Sequence, residues 1–272
     1  MKLLIFGASG MIGQALLREA LTDSRVEKVT VVGRSAVGLA DAKLSEIMTA
    51  DLAQTDYLDS IPGCDLCCFC AGSSAAGVSE EAYAQVNYVM PVAIATRLSA
   101  LYPAARFVYV SGAGTDSSER GKVMWARVKG RTENTLKKLP FTGVYLFRPG
   151  FIRPLPGVHS KTWWYELIYQ VFNILYYATW PLLPMLIRVF TGQLVTSRIL
   201  ARAMLATSQL PPGREVIDSN SIYTLGARGG LDEPTSHAAR ARELIIRISA
   251  ATGVVTWLGL ACMLLKMLCG SG

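Results

Sequence analysis

Histidine is nearly missing from this 272-residue chain: His159 and His237 are the only two. Charged residues are sparse at 17%, and acidic ones are outnumbered, 20 against 27 lysines and arginines. There is no internal repeat and no low-complexity tract. Each scarcity excludes something. Disorder needs low hydrophobicity and high charge, and a chain that is 51% hydrophobic is the reverse. Six cysteines are too few for a disulfide scaffold at this length. Four are bunched at Cys64, Cys67, Cys68 and Cys70, and Cys64 and Cys67 have the spacing of metal ligands. Yet Cys67, Cys68 and Cys70 fall on one predicted strand, whose successive side chains face opposite ways. No histidine or second pair completes a set, so buried thiols and no metal are expected. The net charge of +7 favours anions, but the basic residues are scattered, so no nucleic-acid partner is expected. Lys2 is followed by only four apolar residues and a glycine, which is no secretory signal. A reducing, cytoplasmic compartment is expected.

What is present is alternation. Short apolar runs at residues 2–6, 26–32, 64–70, 106–110 and 143–147 read as strands, with another at 47–51 and a last one at 215–222. Helical patterns lie between them, at 12–21, 79–101, 119–139 and 197–207. Strand alternating with helix predicts a doubly wound parallel α/β sheet, the Rossmann arrangement. The expected organisation is one domain over 1–225 with a small C-terminal cap at about 151–192. A linker at 226–239 and an appended apolar tail helix within 240–272 follow.

The first strand runs into Gly7, Gly10 and Gly13. The first glycine makes the tight turn, the second lets backbone approach a pyrophosphate, and the third lets helix pack on strand. The loop from Gly7 through Ser9, Gly10, Met11 and Ile12 to Gly13 is therefore a dinucleotide cradle, the plain alternative being a glycine-rich turn. An acidic residue at the end of the second strand would hold the ribose of NAD. Arg34 and Ser35 stand there instead. A guanidinium fork and a hydroxyl suit a 2′-phosphate, so NADP is favoured over NAD.

These motifs resemble the short-chain dehydrogenase/reductase superfamily in its atypical branch. The runs GASGMIG, VSGAGTD, KG and FRPG are most similar to its NmrA-like and Tat-interacting-protein-like oxidoreductase group. The resemblance covers about residues 1–225. It implies that Asp51 and Leu52 touch the adenine and that Ala71 and Gly72 lie beside the cofactor. It also implies that Asn87 is the family's helix asparagine, that Ser111 is the catalytic serine, and that Pro149 and Gly150 contact the nicotinamide. Lys129 would bind the ribose.

One departure matters. That family uses a Tyr four residues before the Lys, and here Trp125 holds the tyrosine slot. An indole N–H donates a hydrogen bond but does not titrate. Trp125 can orient a carbonyl and cannot be its general acid; a core aromatic at helical spacing is the plain alternative. Tyr109 shares strand parity with Ser111 but lies deeper, and Tyr88 points elsewhere. His159, in a loop, is a candidate proton donor or a solvated histidine.

Two apolar segments raise a membrane question. The mean hydropathy of +0.32 is high for a soluble domain. Residues 166–177 carry a polar stripe and are followed by Pro181 and Pro184. They read as a substrate cap or as an interfacial helix pair with Trp163, Trp164 and Trp180 at headgroup level. Residues 248–265 hold no charge. As a helix they would span about 27 Å, slightly under the roughly 30 Å hydrocarbon core, which snorkelling by the flanking Arg247 and Lys266 can extend; the segment reads as a single tail anchor within 244–268 or as a helix docked on the domain or in a homodimer. Two functions follow: an NADP-dependent oxidoreductase of a small, apolar carbonyl or alcohol, or an NADPH-binding regulator that has lost turnover.

Overall fold

The computed structural model describes residues 1–153 and 194–228. Strands β1 (Lys2–Phe6), β2 (Lys28–Gly33), β3 (Leu44–Met48), β4 (Leu66–Phe69), β5 (Arg106–Val110) and β6 (Gly143–Arg148) come in turn. A short pair follows, β7 (Phe151–Arg153) and β8 (Leu194–Thr196), and then β9 (Gly213–Asp218). Seven of them form one parallel sheet in the order β3-β2-β1-β4-β5-β6-β9, while β7 and β8 pair separately. The order reverses between β1 and β4, the switch point where ligands bind in doubly wound sheets. The predicted fold class is borne out.

The strands are apolar on both faces, as a parallel sheet covered by helices requires. Leu3 and Ile5 of β1 face one core with Cys68, Val108, Tyr145 and Phe147. Leu4 and Phe6 face the other with Cys67, Phe69, Phe107 and Leu146. On the first face pack α1 (Met11–Thr22) and α5 (Ser197–Ala206), joined by Glu19 to Arg198 and Arg202. On the second pack α3 (Met90–Leu101) and α4 (Met124–Leu136). The alternation that puts Cys67 and Cys68 on opposite faces also buries their thiols, and burial holds both pKa values well up.

Several boundaries differ from the sequence reading: β4 ends at Phe69, so Cys70 lies just beyond it, and three other differences bear on the site and the C-terminal end. The third strand is Leu44–Met48, not 47–51, so Asp51 stands beyond it in a turn where its carboxylate accepts from Ala53 N at 2.9 Å. The last strand ends at Asp218, whose carboxylate accepts from Ser221 N and turns the chain into α6 (Ser219–Arg228). The linker expected from residue 226 starts later, because 226–228 are the end of α6. A Cβ on Gly226 would lie 2.3 Å from Ile199 O, so this glycine is a packing point between α6 and α5. The cap at 151–192 lies outside the described residues except for β7, and the tail lies wholly outside them. No helix among the described residues is long and apolar enough to cross a membrane.

Candidate functional site

The glycine loop is built from backbone alone. Gly7 has φ +83°, a left-handed conformation natural to glycine. A Cβ on Gly13 would lie 2.2 Å from Gly7 O, so helix α1 leaves the loop at contact distance. Gly10 is the N-cap of α1, makes no side-chain cap, and no acid occupies the first turn. The helix start therefore presents free N–H groups and a positive dipole end, a ready anion site. The Ser9 carbonyl is held by Gln14 Nε2 at 3.0 Å. Arg34 and Ser35 are exposed just past β2. These residues fit a dinucleotide.

Beside the loop, at the switch point, lies a cleft of about 300 Å³. Of the residues expected at the site, Ile12, Ala71, Gly72, Asn87, Ser111, Lys129, Pro149 and Gly150 line it together. Cys70 and Gly112, which the resemblance places beside the cofactor with Ala71 and with Ser111, line it too, and the sequence missed Ser73, Val110 and Ile152. The others, Gly7, Ser9, Gly10, Met11, Gly13, Arg34, Ser35, Asp51 and Leu52, are not in its wall.

Asn87 sits in a π-helical turn, Gln85–Val89, inserted between α2 (Glu80–Ala84) and α3. Such turns often mark functional sites. Its side chain donates to Ser73 Oγ and Tyr83 O, both at 3.1 Å. Its backbone carbonyl accepts from Tyr109 Oη at 3.1 Å and Thr132 Oγ1 at 2.7 Å. Tyr109 is thus a buried strut for this turn, and burial pushes its pKa up.

Helix α4 supplies the polar centre. Lys129 Nζ donates to Ser111 O at 2.6 Å. Burial pulls its pKa down to about 8, and the nearby Glu133 charge opposes that fall. Ser111 Oγ lies 2.6 Å from Glu133 Oε1 and 3.1 Å from Phe147 O. Glu133 has no exposed surface and is paired with Arg148, whose Nε donates to it at 3.0 Å and whose Nη2 also donates to it. Arg148 Nη2 donates in addition to Ser117 Oγ at 2.6 Å. Sequence reading missed Glu133, although it lies one turn beyond Lys129 and so on the same helix face. Gly130 explains the Lys-Gly pair. A Cβ there would meet Asp116 O at 1.8 Å, so the loop after β5 rests directly on α4.

Trp125 occupies the first turn of α4, one turn before Lys129. Its ring edge lies against the loop after β5: a Cβ on Gly114 would be 3.6 Å from Trp125 Cη2, and one on Gly112 3.9 Å from Cζ3. It is not among the residues lining the cleft.

The fold, with a glycine loop after the first strand and a cleft at the switch point, is a doubly wound Rossmann-like α/β fold. The comparisons with known proteins agree. A model of the NAD dependent epimerase/dehydratase family matches residues 3–122. Rat protein HTATIP2 is 28% identical over 153 residues, 54% of this chain and 61% of that protein. Protein fmp52-1, mitochondrial, of Aspergillus terreus is 28% identical over 155 residues, 54% of this chain and 65% of that one. The match therefore spans under two thirds of these curated relatives, and the Tat-interacting-protein-like resemblance is borne out within it. Among solved structures, an oxidoreductase of the short-chain dehydrogenase/reductase family from Burkholderia thailandensis superposes with a TM-score of 0.56 at 18% identity, covering 81% of this chain and 92% of that one. UDP-glucuronic acid 4-epimerase from Bacillus cereus, in complex with NAD, gives 0.57 at 14%, covering 80% and 78%. These last two share the fold.

Proposed function

We propose that this protein binds NADP(H) along the edge from Arg34 to Lys129 and acts on a small, apolar alcohol or carbonyl compound. The observation that carries the reading is the convergence of Ser111, Lys129, Asn87 and Gly150 in one cleft beside an uncapped glycine-loop helix. When bound, the nicotinamide supplies hydride transfer. The chain's own residues hold and orient. The start of α1 and the loop receive the pyrophosphate, Arg34 and Ser35 the 2′-phosphate, and Lys129 the ribose. Ile12, Val110, Pro149 and Ile152 give the cleft an apolar part of its wall beside Ser111.

A second reading, a cofactor-binding regulator with little turnover, is favoured by Trp125. It takes the tyrosine's place, and among the described residues the titratable side chains lining the cleft are Cys70, pushed up to about 12 by burial, and Lys129. The test is to titrate NADPH and NADH against the purified protein, then follow NADPH oxidation with a panel of hydrophobic aldehydes and ketones. Tighter NADPH binding with turnover is the expected result; binding without turnover selects the regulator. Equal affinity for the two cofactors overturns the NADP assignment.

The uncharged run at 248–265 supports a membrane association of the tail. Fractionation of cells expressing the full chain and a version ending at Gly229 tests it. Two soluble products would leave docking on the domain or in a homodimer as the tail's role.

A further inference from the structure

Strand β9 ends the sheet on one side. Among the described residues it pairs with β6 and with no other strand. Beside that edge, between β9 and α6, runs a groove of about 350 Å³ lined by Leu210, Ile217, Asn220, Thr224 and Leu225, so α6 leaves room for an added strand. An open edge presents unpaired N–H and C=O groups. Val216, near the middle of the strand, is 41% exposed, and Arg214, Glu215 and Asp218 are exposed around it. Charges on an edge ordinarily oppose strand addition, so the outcome turns on what they meet. Arg214 spends Nε and Nη2 on the backbone carbonyls of Lys137, Leu139 and Phe141. Asp218 accepts from Ser221 N at 2.8 Å. Among the described residues neither is paired with an opposite charge, and Arg214 keeps Nη1 to donate.

We propose that β9 is the interface of a two-fold dimer, in which the edges of two copies of this chain pair antiparallel and are centred on Val216. A two-fold axis perpendicular to the sheet sets residues of like parity face to face. Centred on Val216, it lays the two Val216 side chains against each other. It also brings Arg214 of each copy opposite Asp218 of the other, two charge pairs in all. The neighbouring registers fail. Centring on Glu215 sets two carboxylates face to face, and centring on Ile217 sets Val216 against Asp218. Opposite charges across a strand pair stabilise it and like charges destabilise it. The order Arg214, Val216, Asp218, reversed by the axis, is complementary to itself. The proposal is independent of what the cleft binds.

Sedimentation velocity on the full chain tests it. A six-residue edge is a small interface, so association is expected at about 10–200 µM. Val216→Lys sets two ammonium groups face to face on the axis and should leave a folded monomer across that range. Asp218→Asn keeps a side-chain oxygen for Ser221 N and loses both charge pairs, which predicts association roughly 2- to 30-fold weaker. It carries the comparison if Val216→Lys does not fold. Cross-linking reads the register. Residues face to face in an antiparallel pair have Cα atoms about 4.5–5.5 Å apart, within disulfide reach. In a chain carrying Cys262→Ser and Cys269→Ser, Val216→Cys should give a disulfide-linked dimer on mild oxidation. The same chain without it should give none, and Glu215→Cys little. A wild type still monomeric at about 200 µM, a dimer that persists in Val216→Lys, or an Asp218→Asn chain that associates like wild type overturns the proposal. So does a Val216→Cys chain that cross-links no better than Glu215→Cys.

Discussion

Around Gly7 and Gly13 the working surface of this protein is backbone; around Lys129 and Ser111 it is side chain. The glycine loop needs small residues and a helix start, and its geometry follows from close approach: 2.2 Å between a Gly13 Cβ and Gly7 O leaves no alternative residue. The second region depends on one buried carboxylate holding a serine on one side and an arginine on the other. Backbone sites tolerate change in their surroundings. A side-chain site can be redirected by a single substitution, and Trp125 stands where such a redirection would act. On the proposed function, the comparison predicts that cofactor binding and turnover respond to different substitutions.

The largest expected effect tests that separation. Trp125→Tyr puts a titratable hydroxyl one helical turn before Lys129. General acid–base help contributes about 10²–10⁴ in rate, and NADPH oxidation with hydrophobic aldehydes should rise by that order while NADPH affinity stays level. Rapid turnover by wild type that Trp125→Tyr abolishes would show that the indole site works by another route, and the regulator reading would fall.

Next comes the buried pair. Arg148→Met leaves the fully buried Glu133 without its cation. Removing one partner of such a pair costs about 3–5 kcal/mol, seen as a lower denaturation midpoint at neutral pH. An unchanged midpoint would mean that Ser111 and Ser117 rearrange to satisfy the carboxylate. Arg34→Ala acts on the other region. Loss of a charge-assisted contact to the 2′-phosphate should weaken NADPH by about 1.5–3 kcal/mol and leave NADH unchanged. Calorimetric titration of both cofactors reads the difference.

The smallest effect is in pH. In the free protein Lys129 titrates at about 8 because burial disfavours its charge. If its ammonium grips the ribose, NADPH affinity is level below pH 8 and falls above it, by up to about tenfold per unit. Lys129→Met should bind more weakly and remove that pH dependence. Stability of the free protein runs the opposite way. Because the folded pKa lies below the unfolded 10.5, the unfolded chain binds more protons between the two values and stability rises with pH across that window.

The sequence determined by itself what depends on local pattern. Apolar runs with alternating faces specified the strands, and three glycines after the first strand specified the loop, because steric demands on backbone are written in residue type. The spacing of Trp125, Lys129 and Glu133 was also visible, since three or four residues is one helical turn. The role of Glu133 was not, because a helix glutamate reads as solvated until its neighbours are known. Only the tertiary structure laid α4 across β5 and β6, so that Ser111, Glu133 and Arg148, from three separate segments, meet around a carboxylate that is fully buried. Likewise Asp51 looked like part of a strand by composition, and register against β2 ended that strand at Met48. Residues 226–228 looked like the start of a linker by their glycine, and packing on Ile199 made them helix. Long-range contact decides these cases, since burial and hydrogen bonding to distant partners outweigh the weak local preferences that a sequence displays.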